Sequence, residues 1–205
     1  MAAEIIPNRS QGKIIAIYSS IPNQGKSTIR DYLVKKHGFR SLPFARLIKK
    51  MVFALLVQHG YRDEDAVKYI EIDKEVPLNR VHGMPTARFL MQTLGTDWGR
   101  NQVHADFWLA EWECKASVWS RTGQGIVADD MRFPNEMEAV KRLCGKTWRV
   151  ERPSSEIPKS AGHESEGRLS TITFDRVINN AGCVTELYRK VDKALKYTRT
   201  GVLEL

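Results

Sequence analysis

The sequence predicts an α/β fold in which a parallel sheet is covered by helices on both faces, in three layers. Two apolar runs of strand length, KIIAIYS at 13–19 and GIVA at 125–128, suit strands that are buried on both faces of such a sheet. Between and after them, apolar residues recur at the three- and four-residue spacing of amphipathic helices. The length of 205 residues fits one domain with an inserted region.

The N-terminal part is expected to contain one strand and several helices. The strand at 13–19 should lead through a loop into a helix over 26–37, which Gly38 would end in a left-handed conformation. Residues 44–58 repeat apolar positions at helical spacing, and the acidic stretch 61–75 is expected to form a solvated helix or an excursion from the core.

Two more helices are expected in the middle of the chain. Pro85 suits the opening of a helix that Gly95 would end, with Arg88 and Gln92 on one face. A helix between 107 and 118 carries a set of residues at the spacing of one helical face, namely Phe107, Ala110, Glu111, Cys114 and Val118.

The strand at 125–128 should be followed by a helix that begins at Pro134 and turns Met137, Val140 and Cys144 inward. Further strands are expected at 148–151 and 173–178, before a C-terminal helix that includes Val184, Leu187, Val191 and Leu195. The polar segment 152–170 is typical of a long active-site lid.

Composition narrows the class of function. The chain has 32 Lys and Arg against 24 Asp and Glu, a net charge of +8, which favours an anionic partner. It has no apolar run long enough to span a membrane and no apolar block typical of a signal peptide, so a cytoplasmic protein is expected. The three cysteines are widely spaced, which argues against a disulfide framework or a zinc site.

The most specific motif is SIPNQGKS at 20–27, which matches the phosphate-binding loop G-x-x-x-x-G-K-S/T except that Ser20 replaces the first glycine. Gly25 lets backbone N–H groups approach a phosphate, Lys26 supplies a mobile ammonium, and Ser27 can ligate Mg²⁺. The alternative is a chance GKS sequence at a junction between loop and helix. The predicted ATP-binding residues are Asn23, Gln24, Gly25, Lys26, Ser27 and Thr28.

A second motif, ADDMRFPNE at 128–136, follows a predicted parallel strand, where ligand sites of open α/β sheets lie. An acid such as Asp130 could hold Mg²⁺ through water or contact a second substrate. The alternative is a surface turn in which Asp129 and Asp130 cap the next helix.

Scattered basic residues are the third feature. Phosphoryl transfer brings several negative charges together, and Lys or Arg side chains neutralise them, although each could also be an ordinary solvated residue. The candidates are Lys49, Arg88, Arg100, Arg132, Arg152 and Arg168. His163 has no partner at metal-ligand spacing, so a plain loop histidine is expected there.

Taken in order, several segments resemble the deoxynucleoside monophosphate kinases of large bacteriophages, a branch of the P-loop NMP kinase-like fold. Besides the phosphate loop, these segments are FARLIK at 44–49, RFLMQ at 88–92 leading into LGTDWGR at 94–100, DMRFPNE at 130–136, HESE at 163–166 and INNAG at 178–182. The similarity covers most of the chain.

The resemblance implies transfer of the ATP γ-phosphoryl group to a deoxynucleoside monophosphate (dNMP) with Mg²⁺, for viral DNA precursor synthesis in the cytoplasm of an infected bacterium. It implies a helical NMP-binding region at 44–121 and a lid at 152–170. The dNMP-binding residues carried over are Lys49, Arg88, Gln92, Arg100, Asp130, Arg132 and Glu136. The catalytic residues expected are Lys26, Arg132, Arg152 and Arg168, and the metal contacts are Ser27 and, through water, Asp130.

The sequence departs from the family pattern at Ser20, at Arg46-Leu47, where an acid and a proline are frequent, and at Asp129. The alternatives are another small-molecule P-loop kinase, such as one for dephospho-coenzyme A, a nucleic-acid-binding ATPase module, and a nucleotide sensor without turnover. The expected partner is a dNMP and not a membrane or nucleic acid, and a homodimer remains open.

Overall fold

A computed structural model of the chain describes residues 12–153, 169 and 172–197. The chain divides into two compact units. The sheet unit combines Met1–Pro43 with Glu113–Leu205, and the helical unit is Phe44–Trp112.

The sheet has five parallel strands in the order β2-β3-β1-β4-β5. This arrangement confirms the predicted α/β class with a parallel sheet. The strands are β1 Ile14–Tyr18, β2 Arg40–Ser41, β3 Ile126–Ala128, β4 Lys146–Glu151 and β5 Arg176–Asn179.

Seven α-helices and one π-helical segment accompany the sheet in the described part of the chain. None of them is both long and apolar enough to cross a membrane. They are α1 Lys26–His37, α2 Arg46–Gln58, α3 Asp63–Glu71, α4 Ala87–Gln92, the π-helical segment Thr93–Val103, α5 Phe107–Arg121, α6 Pro134–Arg142 and α7 Val184–Tyr197.

The central strand β1 explains why its sequence is apolar without alternation. All five of its residues are buried, with β3 on one side and β4 on the other. Its register with β3 pairs Ile14 with Ile126 and Ala16 with Ala128. One core cluster joins Ile15 and Ile17 to residues of α1 and α7, including Leu33 and Val191. A strand covered in this way has no solvent-facing positions for polar residues.

The helical unit has its own core, formed where α2, α3 and α4 pack together. Its buried residues include Val52, Leu56, Ala66, Ile70 and Ala87. Three acids in the first turn of α3 complement the positive end of the helix dipole.

The α4 region begins and ends differently from the prediction. The helix begins at Ala87 because Thr86 caps it, its side-chain oxygen accepting a hydrogen bond from the Phe89 N–H at 3.1 Å. The prediction that Gly95 ends this helix is wrong, since the backbone continues in wider π-helical turns to Val103.

Gly95 and Gly99 serve packing in this segment. An added Cβ at Gly95 would lie 3.0 Å from Ile48 Cδ1, and one at Gly99 would lie 2.2 Å from the indole nitrogen of Trp108. That indole N–H donates to the carbonyl of Gly95 at 2.8 Å. Both glycines therefore give close approach between helices instead of a helix end.

The expected inward position of Cys144 is wrong, and two other features of the fold are not among the predictions. The buried face of α5 is formed by Trp108, Leu109, Trp112 and Ala116, and Cys114 and Val118 are exposed. Cys144 lies beyond the end of α6 and is exposed rather than inward. Strand β2 was not predicted, because it is a two-residue strand of exposed polar residues.

A carboxylate joins β4 to the segment that enters β5. Asp175 Oδ2 accepts hydrogen bonds from the Thr147 N–H and hydroxyl, both at 2.9 Å, and Oδ1 lies 3.2 Å from Lys146 Nζ. Burial raises the pKa of the Asp175 carboxyl, but the hydrogen bonds from Thr147 and Lys146 outweigh it and hold the pKa below its usual value. The folded protein therefore favours the ionised form of the Asp175 carboxyl more than the unfolded chain does.

We expect Asp175→Asn to lower the free energy of unfolding by about 1–2 kcal/mol at neutral pH, because the buried Thr147 donors lose a charged acceptor. A lowered folded-state pKa contributes stability above the unfolded pKa of about 4, and this contribution is lost as the pH falls through the folded pKa. The difference between wild type and variant should therefore shrink in urea unfolding as the pH falls from 7 to 3. The exposed acid Glu138, changed to Gln, is the control, and equal losses at every pH would contradict the prediction.

Candidate active site

The phosphate loop connects the end of β1 to α1. Two of its residues have left-handed backbone conformations, Asn23 with φ 60° and Gly25 with φ 104°. Gly25 is also required for space, because an added Cβ would lie 2.5 Å from Asn180 Nδ2. Ser20 is not among the residues with positive φ, so this loop has no conformational need for the glycine that it lacks there.

The basic side chain of the loop turns back toward the strand. Lys26 is the first residue of α1, and its Nζ contacts the hydroxyl of Ser19. Ser27 is exposed in the first turn of the same helix. A helix N-terminus presents free N–H groups and a positive dipole end, so this turn can bind an anion such as phosphate.

Gln24 accepts hydrogen bonds from the residues that follow two neighbouring strands, β4 and β5. It is 6% exposed, its carbonyl accepts a hydrogen bond from Asn180 Nδ2 at 2.9 Å, and its side-chain Oε1 accepts one from the Arg152 N–H. Arg152 directly follows β4, and Asn180 directly follows β5. The loop is thus tied to the carboxyl ends of β4 and β5.

The two acids after β3 differ in their surroundings. Asp129 forms an ion pair with Arg30 of α1 at 2.8 Å, and only 12% of its side chain is exposed. Asp129 therefore connects the end of β3 to the helix that follows the phosphate loop. Asp130 and Arg132 continue from the same end of β3, next to β1 in the sheet.

Glu136 caps the N-terminus of α6. It is 3% exposed, and its Oε2 accepts hydrogen bonds from the N–H groups of Arg132 at 2.7 Å and Phe133 at 3.1 Å. Pro134 is at the start of this helix, where its missing N–H carries no cost. These hydrogen bonds make Glu136 a cap of α6, and they hold the backbone at Arg132 and Phe133.

The remaining predicted dNMP residues lie in the helical unit. Lys49 Nζ is 2.8 Å from both carboxylate oxygens of Glu71, and Arg88 forms an ion pair with Glu75. Arg100 donates to the carbonyl of Ala105 at 3.2 Å. Arg88 and Gln92 are both in α4, four residues apart, as predicted.

Some predicted residues lie outside the described part of the chain. These are Arg168, the HESE segment at 163–166 and most of the proposed lid at 152–170. Of that lid, the structure describes Arg152, Pro153 and Leu169.

The donor set is compatible with a nucleotide-bound magnesium ion. Among the described residues, no three His, Cys, Asp or Glu side chains group together as a metal cage. Mg²⁺ that arrives with a nucleotide keeps several waters and substrate oxygens and uses one or two protein oxygens. The hydroxyl of Ser27 and the carboxylate of Asp130 are oxygens of that kind.

Sequence reasoning assigned no role to two residues that contact the loop, Ser19 and Asn180. The INNAG motif was visible at 178–182, but only the fold shows that Asn180 reaches Gln24. Ser19 belongs to no motif, so its contact with Lys26 had no signal in the sequence.

We expect Glu136→Ala to lower the free energy of unfolding by about 1–3 kcal/mol, because two N–H groups lose their buried acceptor. Thermal or urea unfolding measures the loss, with the exposed Glu138→Ala on the same helix as the control. Unchanged stability in Glu136→Ala would contradict the capping role.

Known proteins similar to this chain include deoxynucleotide monophosphate kinases. A sequence model of the deoxynucleotide monophosphate kinase family matches residues 53–191. A protein of Acanthamoeba polyphaga mimivirus, named provisionally as a deoxynucleotide monophosphate kinase, is 27% identical over 182 residues, covering 82% of this chain and 88% of that protein. The deoxynucleotide monophosphate kinase of Enterobacteria phage T4 is 26% identical over 135 residues, covering 65% of this chain and 55% of the phage protein.

The chain thus matches little more than half of the length of the T4 enzyme. Among solved structures, the protein TT1252 of Thermus thermophilus is similar with a TM-score of 0.51 and 18% identity, covering 93% of this chain and 100% of that one, which is a likeness of fold. The phosphate loop at 20–27 precedes the span of the family match. With more than half of its residues matched by the family, the chain belongs to the deoxynucleotide monophosphate kinases.

Proposed function

We propose that the protein transfers the γ-phosphoryl group of ATP to the 5′-phosphate of a deoxynucleoside monophosphate, giving ADP and a deoxynucleoside diphosphate. The observation that carries this proposal is the phosphate loop between β1 and α1, in a chain of this kinase family. The substrates are cytoplasmic metabolites, so we place the activity in the cytoplasm of the host cell, in the supply of DNA precursors.

The phosphate loop would bind the phosphates of ATP. The backbone N–H groups around Gly25 and in the first turn of α1 would donate to these phosphates, and Lys26 would leave Ser19 for the β- and γ-phosphates. Asn23, Gln24 and Thr28 complete this segment. Mg²⁺, held by Ser27 and through water by Asp130, would neutralise part of the phosphate charge.

The monophosphate would be bound by Lys49, Arg88, Gln92, Arg100, Asp130 and Arg132, and Glu136 would act by holding the backbone of Arg132. Two of these cations are paired with carboxylates in the structure, Lys49 with Glu71 and Arg88 with Glu75. Both pairs are partly exposed, and exposed ion pairs are worth only about 0–1 kcal/mol. Exchange of a carboxylate for a substrate phosphate therefore costs little.

The chemistry needs no strong general base, because the attacking atom is already an anionic phosphate oxygen. The protein supplies positioning and charge, and Lys26, Arg132, Arg152 and Arg168 are the cations proposed for the transferring group. The backbone of Arg152 holds Gln24, so its side chain starts beside the phosphate loop. Closing of the 152–170 segment over the substrates would exclude water, which otherwise competes as the acceptor.

A nucleotide panel tests the proposal. ADP formation from ATP and Mg²⁺ is measured with each of dAMP, dGMP, dCMP, dTMP and GMP, and separately with single-stranded DNA. We expect ADP to form only with a monophosphate, together with the matching diphosphate. Hydrolysis stimulated by DNA, with no response to any monophosphate, would indicate a nucleic-acid-dependent ATPase instead.

Lys26→Ala should lower turnover at least about 10²-fold, the scale for loss of a preorganised group that stabilises charge. The melting temperature should stay close to the wild-type value, because α1 contributes Ile29 and Leu33 to the core cluster and Lys26 is not part of it. Lys35→Ala, an exposed lysine on the same helix, is the matched control. Near-normal turnover in Lys26→Ala would contradict the role of the phosphate loop.

A further inference from the structure

Asn180 connects the end of the sheet to the phosphate loop. Its backbone N–H donates to the carbonyl of Glu151 at 2.6 Å, which continues the pairing of β4 with β5 by one residue. Its side-chain Nδ2 donates to the carbonyl of Gln24 at 2.9 Å. One residue thus joins three segments, and its backbone is fixed by the sheet.

The hydrogen bond to Gln24 determines where the next N–H group points. The carbonyl of Gln24 and the N–H of Gly25 belong to the same peptide group, which is planar and trans, so the two point in opposite directions. No cis peptide bond occurs in the described residues. Because Asn180 holds the carbonyl on one side, the Gly25 N–H is directed to the other side of the loop.

Two further features restrict rotation of this peptide. The Gln24 side chain is anchored through Oε1 by the N–H of Arg152. Gly25 allows the Asn180 amide to lie against its Cα, where a Cβ would lie 2.5 Å from Nδ2. The peptide is therefore held by side-chain hydrogen bonding and by close packing, at the point where the loop adopts φ 104°.

We propose that Asn180 is a positioning residue for ATP, which orients the Gln24–Gly25 peptide so that the Gly25 N–H faces the ATP phosphates. This inference rests on the proposed function, because it requires the loop to bind ATP. A donor that is already oriented costs no reorganisation on binding, whereas a free peptide group must be ordered by the ligand. Asn180 acts through Gln24 and need not touch the nucleotide.

The test compares Asn180→Ala with Asn179→Ala, its exposed neighbour in β5. Loss of one hydrogen bond that orients the donor should raise the KM for ATP and the Kd for ADP about tenfold. The KM for the monophosphate substrate should stay within about twofold of the wild-type value, since that substrate is not bound by this peptide. Asn179→Ala should resemble wild type in all three quantities.

Asn180→Asp is the second variant, in case Asn180→Ala does not fold. It keeps the size of the side chain and the backbone N–H bond to Glu151, but its carboxylate cannot donate to Gln24. It should weaken ATP and ADP binding at least as much as Asn180→Ala, and Asn179→Asp controls for the added charge.

The outcomes separate this inference from the proposed function. Wild-type protein that binds neither ATP nor ADP in calorimetry would overturn the proposed function itself. Wild-type protein that binds both, with an unchanged KM for ATP in the Asn180 variants, would overturn only the positioning role. A lowered melting temperature with an unchanged KM for ATP would also overturn it, because that result is expected of a purely structural contact.

Discussion

The parallel pairing of β1 with β3 on one side and β4 on the other is the constraint on which the site depends. Parallel strands end at the same edge of a sheet, so the loops that follow them converge there. That edge receives the phosphate loop from β1, Asp129 and Asp130 from β3, Arg152 from β4 and Asn180 from β5. Segments far apart in the chain become neighbours, and three of them are joined by hydrogen bonds through Gln24 and Asn180.

Features with a strong local cause could be predicted from the sequence. The apolar run of β1 and the GKS sequence specify a buried strand, a glycine-dependent loop and a helix start within fifteen residues or so. Where the local pattern has two solutions, the sequence does not decide between them. Apolar residues lie all around α5, so periodicity could not show that Trp108 and Trp112, and not Cys114 and Val118, are buried. Glycine is typical of a helix end, but Gly95 lies inside a helical segment, where it packs against Ile48.

The sequence predicts which residues belong to the candidate site, but it does not predict which of them contact each other. The motifs name Gln24, Glu136 and Asn180, but the bond between Gln24 and Asn180 joins residues 156 positions apart and depends on strand order. Glu136 shows a related limit, because its place in the DMRFPNE motif does not reveal that the carboxylate caps α6. Contacts of this kind follow from tertiary packing, which local sequence patterns do not reveal.

Direct phosphoryl transfer from ATP to a deoxynucleoside monophosphate is tested most directly by following the phosphorus atom. The protein is incubated with Mg²⁺, ATP labelled with ³²P at the γ-position and unlabelled deoxynucleoside monophosphates, and the labelled products are separated. We expect the label to appear in the terminal phosphate of a deoxynucleoside diphosphate, in step with ADP formation. Label found only in inorganic phosphate would contradict it, because water and not a monophosphate would then be the acceptor.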